Sequence, residues 1–162
     1  MRTTLKSATI LKSLVLIAAL ASVAPAADKP NFSGNWVLDS DKSNFGPMPG
    51  PTTMTRKVDH ADPGMTVEEA TTGGPQGDQS ATMQYSTDGK ETTNNMMGND
   101  VKSTAVWQGN ALVVSMAADF GGTEIKITDK WTLSDDGKVL TDLMHLALPQ
   151  GEFDITYVMN KK

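Results

Sequence analysis

The chain has 162 residues, with 14 lysines and arginines against 19 aspartates and glutamates, a formal net charge of −5 and no cysteine. The acid excess opposes binding to a phosphate backbone, which needs clustered cations. The missing thiols exclude a disulfide framework, thiol catalysis and thiolate metal sites.

The first residues carry Arg2, Lys6 and Lys12, then an apolar run from Leu14 to Val23, then Ala24-Pro25-Ala26. This is the basic, apolar and small-residue order of a cleavable secretory signal. The run is short of the roughly 20 apolar residues that span a bilayer as a helix, so no stable membrane anchor is expected. The sequence therefore predicts a signal over 1–26 and a single domain over 27–162, periplasmic or secreted. Cleavage removes three basic residues and no acidic ones, which leaves the domain more acidic still.

Asn31 to Asp39 predicts a first strand, with Phe32, Gly34, Trp36 and Leu38 on one face and Ser33, Asn35 and Val37 on the other. Ser40 to Pro51 includes Gly46-Pro47-Met48-Pro49-Gly50-Pro51 and predicts a long loop. Alternating segments then recur at the spacing of an antiparallel meander. They are Thr53–His60, Met65–Thr72, Ser80–Thr87, Glu91–Met97, Val101–Trp107, Ala111–Ala118, Glu124–Leu133, Val139–Leu148 and Glu152–Asn160.

Asp88-Gly89 and Asp136-Gly137 supply residues that accept positive φ in tight hairpins; Gln108-Gly109-Asn110 and Pro149-Gln150-Gly151 predict slightly longer ones. Gly73-Gly74-Pro75-Gln76-Gly77 predicts a wider loop. Outside the signal no window carries an apolar stripe at helical spacing, so little helix is expected. An all-β chain of this length has two economical solutions, an antiparallel up-and-down barrel of about eight to ten strands or a two-sheet β-sandwich. Consecutive hairpins favour the barrel, whose closure also removes exposed sheet edges.

The opening Asn31-Phe32-Ser33-Gly34-Asn35-Trp36-Val37-Leu38-Asp39 carries Phe-x-Gly-x-Trp, which resembles the start of lipocalins and of intracellular fatty-acid-binding proteins. In such barrels the glycine lets the chain pass closely at the closed end and the tryptophan plugs that end, roles that the resemblance gives to Gly34 and Trp36. Trp36, Leu38, Asp39, Lys42, Ser43, Phe45 and Gly46 also resemble a pattern of exported bacterial proteins described as lipocalin-like, a group that brings no known activity. The chain departs from the fatty-acid-binding family in two places. Residues 40–51 are too proline-rich for its two lid helices, and its Arg-x-Tyr on the last strand is reduced to Tyr157 preceded by Ile155-Thr156. Of the basic residues lipocalins place near the plug tryptophan, Lys161 and Lys162 are available.

Arg56 is the one arginine after the signal, and alternation sets it on the face of Met54, Val58 and His60. An interior guanidinium is a natural fork for a ligand carboxylate; the competing expectation is a structural pair, for instance with Glu69. Nine methionines follow the signal, and flexible thioethers suit either an adaptable apolar cavity or plain core filling. The expected ligand contacts are Arg56 and Tyr157 as polar groups and Met54, Met83, Tyr85 and Met116 as lining. His60 reads as a solvated residue at a strand end, and His145, between Met144 and Leu146, as a partly buried structural one. The acidic turn from Asp39 fails as a calcium loop, because Asn44 and Gly50 stand where glycine and glutamate are required. No metal, cofactor or catalytic residue is expected. The sequence favours an exported lipocalin-like barrel holding a small hydrophobic or amphipathic molecule. The alternative is a non-catalytic envelope or secreted interaction module without a cavity; an enzyme would need His60 or His145 beside a carboxylate in a cleft.

Overall fold

The computed structural model describes residues 29–75 and 77–162; the signal expected over 1–26 lies outside the described residues. Ten strands follow in order: β1 (Gly34–Leu38), β2 (Thr53–Ala61), β3 (Gly64–Gly74), β4 (Gly77–Ser86), β5 (Thr92–Met96), β6 (Asn99–Gln108), β7 (Ala111–Asp119), β8 (Glu124–Leu133), β9 (Val139–Leu148) and β10 (Gly151–Lys161). They form one antiparallel sheet in the order β4-β3-β2-β1-β10-β9-β8-β7-β6-β5. Successive strands are neighbours except β4 and β5, and the pairing of β1 with β10 brings the two ends of the domain together. This is the up-and-down barrel rather than the sandwich.

The strand period sets the inside. Along β2, Met54, Arg56, Val58 and His60 are buried while Thr53, Thr55, Lys57 and Asp59 are exposed, the alternation a half-buried strand requires. On β7 Leu112, Val114, Met116 and Ala118 do the same. β8 and β9 have the bounds expected from sequence. Two other expectations are corrected. β3 and β4 run on until Gly74 pairs with Gly77, so the wide loop expected there is a short hairpin connection. β1 starts only at Gly34, because the chain before it is held by side chains: the Phe32 N–H donates to His60 Nδ1 at 3.2 Å, and Asn31 Nδ2 and Ser33 Oγ donate to the His60 carbonyl.

At this end Phe32 stacks on His60 and Trp107, with ring centroids 5.9 Å apart in both cases, and meets Trp131 edge-on at 5.7 Å. Trp36 is fully buried and donates its indole N–H to the Phe32 carbonyl at 3.0 Å. Lys161 Nζ lies 5.2 Å from the centre of the Trp36 ring, within cation–π range. Gly34 makes that crossing fit, since a Cβ there would stand 2.5 Å from Lys161 Cε, and its φ of +148° also disfavours a side chain.

The seam lies between β4 and β5, the two ends of the sheet order. Two side chains of β5 bridge it, Asn94 above all: Asn94 Oδ1 accepts from the Gln84 N–H at 2.7 Å, and Asn94 Nδ2 donates to the Gln84 carbonyl at 3.0 Å. The Asn94 amide thus stands in for a backbone peptide across the gap. Thr92 Oγ1 adds a bond to the same carbonyl. Asn94→Ala is expected to cost roughly 1–2 kcal/mol, because it removes two hydrogen bonds made by a buried amide across a half-buried seam. Urea unfolding measures the loss, and faster hydrogen exchange confined to the Gln84 amide locates it.

Candidate ligand site

Inside the barrel, Arg56 is the centre of a polar cluster. Register sets it opposite Glu69 on β3, and Arg56 Nε and Nη2 both reach Glu69 Oε2, at 2.9 and 2.8 Å. From the far wall, Asp142 on β9 accepts from Arg56 Nη1 at 3.0 Å. The guanidinium carbon stands 4.5 Å from the centre of the Trp131 ring. Asp129 lies on β8 two residues before Trp131, and Trp131 pairs with Asp142 across the β8–β9 ladder. Tyr85 from β4 sends its hydroxyl to Met116 Sδ at 3.7 Å.

One cation therefore faces Glu69, Asp129 and Asp142. Burial would lower the Arg56 pKa, but Glu69 and Asp142 outweigh it and hold the guanidinium above its ordinary value. Burial pushes the Asp142 carboxyl up to about 6 against the pull of Arg56. Asp129 is held well above its ordinary 3.8 by burial and then by the charge of Asp142. Oδ1 of Asp129 and Oδ1 of Asp142 have no hydrogen-bond partner, nor do the indole N–H groups of Trp107 and Trp131. Most buried polar atoms in native proteins are paired, so this concentration marks the interior as chemically unfinished.

At the other end, residues 39–52 fold over the mouth. Asn44 and Thr156 exchange both backbone bonds, at 2.7 and 2.8 Å, and Ser43 Oγ accepts the Val158 N–H. That anchoring sets Phe45 on Tyr157, 5.9 Å between ring centres. Beneath the loop is a recess of about 260 Å³, lined by Phe45, Met48, Thr71, Leu146, Ile155 and Tyr157 among others. Tyr157 in its wall stands directly opposite Asp142 in the β9–β10 ladder. Burial raises the Tyr157 hydroxyl to about 12. A larger hollow, about 530 Å³, lies along the outer face of β1–β4 and involves the exposed Thr55, Lys57, Glu68, Ser80 and Thr82.

The sequence-predicted contacts separate accordingly. Tyr157 lines the mouth recess. Met54, Met83, Tyr85 and Met116 belong to the packed core. Arg56 is interior as alternation implies, and the expected pairing with Glu69 is present. Sequence reasoning missed Asp129 and Asp142. The available signal was their place in alternation, between Ile127 and Trp131 and between Leu140 and Met144, at positions that face the core.

Both histidine readings are corrected. His60 is 5% exposed, stacked with Phe32 and Trp107, its Nδ1 accepting from Phe32 and its Nε2 bonded to Asp62 Oδ1 at 3.0 Å. Asp62 in turn accepts from Thr87 Oγ1, which together with His60 holds its carboxyl below the ordinary range. Neither ring nitrogen is left to serve as a base. His145 is on the outer face, exposed, with Nδ1 2.7 Å from Asp154 Oδ1; that contact raises its pKa. Among the described residues no group of three or more His, Cys, Asp or Glu is arranged to hold a metal ion, and no helix is long and apolar enough to cross a membrane.

The sequence matches no family model and no curated protein. Solved structures are similar in fold. Zebrafish ileal bile acid-binding protein complexed with cholic acid matches over 81% of this chain and 98% of its own, at 16% identity and a TM-score of 0.58. A secretory abundant heat soluble protein from Ramazzottius varieornatus matches over 80% and 94%, at 12% identity and 0.60. A mutant of the fluorescent protein UnaG matches over 80% and 95%, at 21% identity and 0.50. The fold is thus the nearly closed, ten-stranded barrel of the lipocalin and fatty-acid-binding type.

Proposed function

We propose that this chain is exported and that its barrel binds a small hydrophobic or amphipathic molecule through the mouth under Phe45. The observation that carries this reading is the apolar recess of about 260 Å³ lined by Tyr157, which stands directly opposite the buried Asp142 carboxyl in the β9–β10 ladder. Small-molecule pockets are mostly apolar with a few placed polar groups, and run from roughly 300 Å³ upward. This recess is close to that lower bound, which favours a short ligand. The zebrafish neighbour is a bile acid-binding protein, a use of the same fold that supports the reading. Export rests on the basic, apolar and small-residue order of residues 1–26. A non-enzymatic role agrees with His60 having both ring nitrogens engaged.

Native mass spectrometry of the protein recovered from the medium or periplasm tests both parts. The expected result is a mass lacking residues 1–26 and carrying a small adduct that denaturing extraction releases. Retention of the full chain in the cytoplasm would overturn export. A bare mass, together with no uptake of added amphiphiles, would overturn binding.

A further inference from the structure

The charge balance around Arg56 specifies the head group of that molecule. A ligand carboxylate would need the guanidinium, but three of its nitrogens are already bonded to Glu69 and Asp142 at 2.8–3.0 Å. It would also enter as a fourth acid beside Glu69, Asp129 and Asp142. Anions do not accumulate around one paired cation in a low-dielectric interior.

What is free is acceptor capacity. Asp129 is 5% exposed and Asp142 fully buried, and Oδ1 of each lacks a hydrogen bond of ordinary geometry, the Trp131 indole N–H being close enough to Asp142 only to help draw its pKa down. They stand on adjacent strands beside Trp131, whose ring already receives one cation. A hydroxyl that could donate to these carboxylates is directed elsewhere, Tyr85 Oη toward Met116 Sδ. The group that complements two open carboxylate oxygens next to aromatic faces is a compact cation with several N–H donors, which describes an ammonium.

We propose that the barrel takes amphipathic molecules bearing a protonated amine, the ammonium pairing with Asp129 and Asp142 and the apolar part running past Tyr157 and Ile155 to the mouth under Phe45. This rests on the ligand-binding reading above. The cation supplies the missing donors and a counter-charge for the carboxylates it meets. Burial holds the Asp129 carboxyl well above its ordinary range, and a seated ammonium pulls it back down, so binding releases a proton wherever that carboxyl is protonated. An ordered water would satisfy the same oxygens without charge, and then head-group charge would not matter.

The test is calorimetry of the exported protein with three probes of equal chain length: octylamine, octanoate and 1-octanol. Octylamine is expected to bind at least about tenfold more tightly than octanoate, the scale of one close charge pair. Its heat is expected to vary with the ionisation enthalpy of the buffer, which reports the released proton. In Asp129→Asn, which removes a buried acid while keeping its shape, the preference for octylamine over octanol collapses. Octanoate binding as tightly as octylamine would overturn the proposal, as would an amine preference indifferent to Asp129→Asn. If octanol and octanoate bind and octylamine does not, the head-group assignment alone fails. If none of the three binds, the ligand-binding reading itself fails and takes the proposal with it.

Discussion

Arg56→Met is expected to remove about 3–5 kcal/mol of stability near pH 7, the cost of deleting one partner of a buried ion pair. Met fills much the same space, so packing accounts for little of the loss. The damage is electrostatic: Glu69, Asp129 and Asp142 remain inside with no cation. Domains of this kind have roughly 5–15 kcal/mol in total, so the variant will be near its unfolding threshold. The loss should shrink on acidification, since protonated carboxyls no longer need the guanidinium. Urea unfolding at about pH 5 and pH 7 separates the two contributions. Arg56→Lys should fall between, because a point charge cannot repeat the fork that reaches Glu69 from one side and Asp142 from the other. A loss that is small and independent of pH would mean the cluster is not ionised as described.

The sequence shows the strand framework with little left over, because turn chemistry and period-2 alternation are local. β8 and β9 could be bounded from Asp136-Gly137 and their flanking apolar residues alone. Alternation also placed Arg56 inside. It was less useful where two local signals competed: His60 shares the buried face of β2 but precedes the turn at Asp62-Pro63-Gly64, and the face prevailed because Phe32 and Trp107 close over it. On β9 both faces are apolar, with Leu143 outward and 48% exposed, so alternation could not say that His145 faces solvent. Pairing with Asp154 on β10 settles that. The site was hidden for a different reason. Asp142 lies 86 residues from Arg56 in sequence, and an aspartate in a strand reads as solvated until the barrel closes and brings the two together. Asn94 was unreadable for the same reason, its partner being a backbone amide across the seam.

Asp129→Asn is expected to stabilise the protein at neutral pH, which is unusual for a buried polar residue and follows from the direction of the carboxyl's pKa. A carboxyl whose pKa is higher folded than unfolded takes up a proton on folding anywhere between the two values, so stability falls as pH rises through that window. For Asp142 the window runs from 3.8 to about 6, and Asp129 adds a decline in the same direction. Asp62 works oppositely, its lowered pKa giving stability that is lost as pH falls below the ordinary carboxylate value. Stability should therefore peak on the acid side of neutrality. The asparagine stays neutral, so the variant should match the parent near pH 4 and exceed it by roughly 1–3 kcal/mol near pH 7, the penalty for a buried group without its partner. Melting temperatures across that range decide it: a variant less stable than the parent at neutral pH would mean Asp129 has a cationic partner already. A gain means the chain retains a carboxyl that folding alone disfavours. That cost is what an amine-binding acid would be expected to show, since stability given up at a site is commonly the mark of function there.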